Sequence, residues 1–260
     1  MPQLKIGVGL RSLRQPFKKA LHTVANLGAQ GIEIDARNDL RPAELSETGC
    51  RQLRKMLSDL NLRVAAIRFP THRGYDVLAD LERRIDATKQ AMALAYRLGA
   101  SVVVNAVGYV PEDAQHPAYD QLQVSLSDLA RYGQHVGAML ACETGSEPPS
   151  RLVQLLDSLP EQAIGVAYNP ANLIINDCYT EDSLRDCSSR VLHVVARDAV
   201  RDLSRGRGVD VPLGRGTVDF PQLLGTLDEQ QYNGWFVVDR PQAEDPLAEL
   251  QQAITFLNAL

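Results

Sequence analysis

The chain has 260 residues, 45% of them hydrophobic, and a formal net charge of −5; a chain of this size buries roughly 75% of the surface its unfolded form exposes, so neither disulfide nor metal is needed to hold the fold. The acidic balance, with a pI near 5.6, argues against a nucleic-acid partner, whose phosphates need a basic surface, and leaves room for a small anionic ligand. The four cysteines, Cys50, Cys142, Cys178 and Cys187, show neither a CxxC pair nor zinc spacing, which points to reduced thiols in a cytoplasmic protein, and no segment approaches the roughly 20 apolar residues that would span a membrane.

Residues 4–10 predict a strand, 17–27 a helix and 31–35 a second strand, with Gly28 placed to close the helix in the left-handed conformation. Residues 45–60 are amphipathic and 63–69 strand-like. Leu81, Ile85, Met92, Ala95 and Leu98 recur at helical spacing until Gly99. The run Ser101-Val102-Val103-Val104-Asn105 lacks polar alternation, as does a parallel strand covered on both faces. After a loop at 108–119 come a helix at 121–132, a strand at 139–143, a helix at 150–159 and strands at 164–168, 191–195 and 235–238. The stretch 199–227 is rich in glycine and arginine, and an apolar-periodic helix at 247–260 closes the chain. Alternating strands and helices imply a parallel sheet, and eight units in about 250 residues favour an α/β fold closed as a (β/α)₈ TIM barrel. No linker or composition shift divides it, so residues 1–260 are read as one domain, with the sixth and seventh helices the weakest.

A packed barrel leaves chemistry to the carboxyl ends of its strands. Those ends present Arg11, Asp35, Arg68, Asn105, Glu143, Asn169, Arg197 with Asp198, and Asp239 with Arg240. Loop residues after parallel strands are commonly polar, but this set together suits an oxygen-rich ligand. Glu143 and Asp239, on the fifth and eighth strands, could flank it. Such a pair suits proton abstraction and return beside a carbonyl, with an electropositive group to hold the oxyanion, in many enzymes a divalent metal.

The chain resembles the xylose isomerase-like superfamily of TIM barrels, the sugar phosphate isomerase/epimerase group that includes ketose 3-epimerases and type IV apurinic endonucleases. The resemblance rests on Leu27-Gly28-Ala29-Gln30-Gly31-Ile32-Glu33-Ile34, Leu140-Ala141-Cys142-Glu143 and Gly165-Val166-Ala167-Tyr168-Asn169-Pro170-Ala171-Asn172-Leu173. It continues through His193-Val194-Val195-Ala196-Arg197-Asp198 and Leu213-Gly214-Arg215-Gly216-Thr217-Val218-Asp219-Phe220. It implies a divalent ion, Mn²⁺, Mg²⁺ or Co²⁺, held by a glutamate, an aspartate, a histidine and a second glutamate, with the two glutamates moving the proton. Those positions fall at Glu143, Asn169, Val195 and Asp239, and a further family histidine that works on substrate falls at Asn172. Only Glu143 keeps the family residue. Valine offers no donor, asparagine loses the charge and aspartate is a methylene short, so a much weakened site is expected, with Glu143, Asn169, Asp239 and water as the donors left for a hard ion.

His193 lies on the same strand face as Val195 but about 6.6 Å deeper, which predicts a buried core histidine. Arg201 matches an arginine that touches substrate oxygens in the epimerases, and with Arg197, Arg205, Arg207 and Arg215 it forms a cluster suited to phosphate or carboxylate, or equally a solvated loop or subunit contact. Gly206-Arg207-Gly208 and Gly214-Arg215-Gly216 are too short for phosphate-binding loops, and no nucleotide cofactor is expected. Trp235 and Phe236 serve equally as core or as a contact between copies, which leaves a homo-oligomer open.

Two functions follow. One is an isomerase or epimerase of a sugar or sugar phosphate, with Glu143 and Asp239 as the acid/base pair and Arg201, Asn172, Arg197 and Asn105 on substrate. The other is a metal-free, non-catalytic carbohydrate-binding or assembly protein derived from such an enzyme. DNA repair is disfavoured, since the apurinic endonucleases build a three-metal site from several histidines and this chain has five in all, mostly away from the predicted strand ends.

Overall fold

The apolar runs pair edge to edge and the amphipathic stretches cover them in the computed structural model of the protein, which describes residues 4–160, 162–202 and 207–260. In chain order the elements are β1 (Lys5–Gly9), α1 (Phe17–Asn26), β2 (Gly31–Asp35), α2 (Glu47–Asp59), β3 (Arg63–Arg68) and α3 (Leu81–Leu98). Then come β4 (Val102–Asn105), α4 (Pro117–Val136), β5 (Met139–Glu143), α5 (Pro149–Asp157), β6 (Ile164–Tyr168) and α6 (Pro170–Ile175). The last third holds β7 (Val191–Ala196), β8 (Asp198–Val200), β9 (Val209–Val211), α7 (Phe220–Glu229), β10 (Trp235–Val238) and α8 (Pro246–Asn258). Strands β1 to β7 and β10 pair in parallel and close on one another, β10 lying between β7 and β1. This is the expected (β/α)₈ TIM barrel.

Local chemistry sets the ends of several elements. Gly99 stops α3 with φ +81°, where a side chain would be strained. Helix α4 starts at Pro117, four residues before the apolar period becomes visible, because proline's fixed φ suits a first helical turn and His116 Nδ1 accepts from Ala118 N at 3.1 Å. The glycine- and arginine-rich stretch contains a feature with no sequence expectation, an antiparallel hairpin of β8 and β9. All four cysteines are free thiols.

Two register shifts decide what the barrel encloses. Ile32 pairs with Val64 and Glu33 with Ala66, so β3 carries one extra residue, Ala65. A bulge re-aims the side chains that follow it. Val64 and Ile67 both pack in the outer core under the helices, whereas Ala66 belongs to a separate interior cluster with Val104, Ala141 and Ala167. Arg68, two residues after Ala66, therefore points into the barrel with it. On β7 the extra residue is Leu192, between Val191 and His193, and His193 turns inward. The small lumen residues, Ala66, Ala141 and Ala167, leave volume for long charged side chains.

Candidate active site at the barrel mouth

Arg68 ends β3 and lies inside the barrel among acids. Its Nε donates to Glu33 Oε1 at 2.6 Å, while Nη1 and Nη2 donate to Glu143 Oε2 and Oε1 at 2.7 and 3.1 Å. A guanidinium has five N–H donors, and these contacts use three of them. Deeper in the lumen, fully buried His193 brings Nε2 to 3.2 Å from Glu33 Oε2, yet neither ring nitrogen nor that carboxylate oxygen forms a hydrogen bond. Burial alone would raise the carboxyls of Glu33 and Glu143. Arg68 outweighs it at both, with help from His193 at Glu33 and Asn169 at Glu143, and holds both below the usual carboxylate range.

Asp239 follows β10 and is matched in the same way. Arg11, just beyond β1, donates Nε to Oδ1 and Oδ2 at 3.0 and 3.2 Å and Nη2 to Oδ2, and Ser12 Oγ donates to Oδ1 at 2.9 Å. Gly9 is required beside it, because a Cβ there would come 2.9 Å from Asp239 Oδ1. Burial raises the Asp239 carboxyl, and Arg11 and Arg68 together pull it below its ordinary value. Asp239 and Glu143 thus both lie in the field of Arg68 and Glu33. The Asp239 side chain is fully buried beneath Arg11, which is 30% exposed, so a ligand reaches Asp239 only by displacing that arginine.

The residual donor set does not fit a divalent ion. Val195 is fully buried and offers no donor atom. Asn169 caps α6, its Oδ1 accepting from Asn172 N at 3.1 Å, which turns its amide group toward Glu143 Oε1 at 2.8 Å. The expected oxygen ligand is therefore a second N–H donor on the carboxylate, and Arg68 occupies both oxygens of that carboxylate already. Among the described residues no three His, Cys, Asp or Glu side chains are placed to hold a metal together.

The remaining rim residues divide between site and scaffold. Asn172 accepts from Arg197 Nη1 at 3.0 Å, and Arg197 and Arg240 share Asp210 of the hairpin, which ties β9 over the mouth. Asn105 donates to Tyr75 Oη at 2.9 Å and exchanges hydrogen bonds with Thr71. Asp35 accepts from the backbone of Arg37 and Asn38 and shapes its own turn. Asp198 accepts from the backbone N–H groups of Ala199, Gly214, Gly216 and Val218. The Gly-Arg-Gly turn is thus an anion nest filled by the protein's own carboxylate.

Among the described residues, the arginines of 197–215 do not converge. Arg201 is 58% exposed and pairs with Asp177 at 2.5 Å, Arg207 and Arg215 are exposed, and Arg205 lies outside the described residues. Neutralised by Asp177 at the surface, Arg201 is not held among the mouth carboxylates. Glu33 was missed among the candidate site residues; its sole signal was a charge in the middle of an apolar strand. A cavity of about 810 Å³ is lined by Lys5, Arg63 and Trp235 at the strand starts, the end of such barrels that carries stability rather than chemistry.

The family described as "Xylose isomerase-like TIM barrel" matches residues 21–260. An L-ribulose-5-phosphate 3-epimerase of Shigella flexneri is 22% identical over 277 residues, covering 99% of this chain and 95% of that protein. Among solved structures, a xylose isomerase domain protein from Planctomyces limnophilus superposes with a TM-score of 0.87 at 22% identity, over 99% of this chain and 97% of that one. A xylose isomerase-like TIM barrel protein from Mycobacterium smegmatis, in complex with magnesium, gives 0.77 at 15% identity, over 99% and 95%.

Proposed function

This chain belongs to the xylose isomerase-like TIM barrel family, and we propose that it is an isomerase or epimerase of a small carbohydrate that moves a proton beside a carbonyl. The relative of similar length is named for 3-epimerisation of a sugar phosphate, and the mouth holds two carboxylates kept ionised. The observation that carries the reading is Arg68, bound through two nitrogens to Glu143 and acting on Asp239 through its field.

Glu143, with 9% of its side chain exposed, takes the proton from the carbon next to the carbonyl, and Asp239 serves the opposite face once Arg11 has swung aside. The guanidinium of Arg68 meets the oxygen on which charge develops, a fixed donor in a water-poor site. Asn172 and Arg197, already hydrogen-bonded to each other, and Asn105 line the approach for substrate hydroxyls.

One observation favours the second reading, a non-catalytic carbohydrate-binding or assembly protein: each candidate base already has an arginine on both oxygens, which makes it a weak base until the pair opens. Nuclear magnetic resonance in D₂O separates the two readings. An isomerase incorporates deuterium beside the carbonyl of at least one ketose or aldose, free or phosphorylated, and Glu143→Gln lowers the rate about 10²–10⁴-fold, the usual contribution of a general base. No incorporation across the panel, with or without Mn²⁺, Mg²⁺ or Co²⁺, leaves the second reading.

A further inference from the structure

Next to the mouth, between the loops after β2 and β3 and the first turn of α3, lies a second cavity of about 470 Å³, within the range of small-molecule pockets. Arg37, Arg41, Arg83, Arg84 and His72 line it over the ring of Phe69, and Asp80 is the only acid among its lining residues. Four guanidiniums against one carboxylate form a strongly basic concavity on a chain whose net charge is −5.

These arginines are short of partners. Arg37 lies over the Phe69 ring at 5.7 Å, and neither it nor Arg83 forms an ion pair among the described residues. Arg84 gives its Nη groups to the carbonyls of Ala79 and Val77 and keeps a buried Nε with no hydrogen-bond partner. Arg41 has one ion pair, with Glu44 at 3.6 Å, both side chains largely exposed, a class of contact worth 0–1 kcal/mol. Asp80 makes no side-chain cap on α3, whose first turn carries one acid, Glu82.

We propose that this cavity binds the phosphate group of a phosphorylated ligand. Planar guanidinium forks match the oxygens of a phosphate, and a dianion answers the charge excess where one carboxylate leaves most of it standing. The position fits a ligand that reaches onward to the mouth. Phe69 directly follows Arg68, and Thr71, also in the lining, exchanges hydrogen bonds with Asn105 at the end of β4. In combination with the isomerase reading, on which this last extension rests, the substrate is a sugar phosphate with its phosphate between units two and three and its carbonyl at Arg68.

Calorimetric titration with inorganic phosphate at low ionic strength tests the cavity by itself. Saturable binding is expected, weakened at least tenfold by Arg37→Gln and by Arg83→Gln and unchanged by Arg207→Gln with Arg215→Gln, each variant checked by thermal melting. The absence of saturable binding, or equal loss in the Arg207/Arg215 variant, overturns the proposal. The companion measurement is KM for ketoses with and without phosphate. Pocket substitutions should raise KM for the phosphorylated forms alone. Turnover of bare ketoses without phosphate binding sinks the pocket and spares the isomerase, and phosphate binding without turnover of any sugar does the reverse.

Discussion

The mouth of the barrel and the cavity beside it are both built with arginine, and they differ in what the arginine faces. At the mouth Arg11, Arg68, Arg197 and Arg240 each meet a carboxylate, respectively Asp239, Glu33 with Glu143, Asp210, and Asp210 with Glu249. In the cavity Arg37, Arg83 and Arg84 meet an aromatic ring, backbone carbonyls or solvent. A compensated array orients side chains and holds charges in place, whereas an uncompensated one draws in an anion. Arginine content alone therefore does not locate an anion site: the cluster between 197 and 215 is the denser in sequence, yet Arg197 and Arg201 within it are paired to Asp210 and Asp177.

Removing a charge separates the two regions. Arg68→Met would leave Glu33 and Glu143 without their counter-ion, and breaking a buried pair in this way costs about 3–5 kcal/mol, read as a lower denaturant midpoint. The same loss should grow milder in acid. Glu33, Glu143 and Asp239 have carboxyls held below their unfolded values, so they stabilise the fold above about pH 4 and lose that contribution as pH falls further.

Glu147 offers the opposite case, a buried carboxylate whose hydrogen bond comes from the backbone of Val110 at 3.3 Å. Burial pushes it up to about 7, so the folded chain keeps a proton that the unfolded chain releases, and stability falls as pH climbs from about 4.5 to 7. Glu147→Gln should abolish that fall and add roughly 2 kcal/mol at pH 8 relative to pH 5, measured by urea unfolding at the two values. Ser12→Ala removes a donor to Asp239 and the acceptor for Arg240 N, with an expected cost of about 1–2 kcal/mol. Arg83→Gln, on an exposed side chain in the uncompensated cavity, should change stability by no more than about 0.5 kcal/mol. A large loss there would mean that the cavity's charge is matched after all.

The fold was readable because the strands are unbroken apolar runs such as Val102-Val103-Val104 and the helices end on glycines such as Gly99. Glu143 and Asp239 were readable as rim carboxylates from strand ends alone. The inward turn of Arg68 was not, since it depends on a single extra residue at Ala65, and period-two reasoning carried from Val64 sends Arg68 to the outer face. The hairpin of β8 and β9 escaped because each strand is three residues long, too short for a periodic signal. The basic cavity escaped because it assembles Arg37 and Arg41 with Arg83 and Arg84 from two distant segments, whereas the cluster at 197–215 drew notice by proximity along the chain.

Arg68 and Arg11 cover both oxygens of Glu143 and Asp239 and leave neither carboxylate open to a divalent ion. The decisive experiment is titration of Mn²⁺ into chelator-washed wild-type protein, followed by calorimetry and by the electron spin resonance of free Mn²⁺. No saturable uptake is expected, with Glu143 and Asp239 remaining on Arg68 and Arg11. One tightly held equivalent of Mn²⁺, lost on Glu143→Gln, would contradict it.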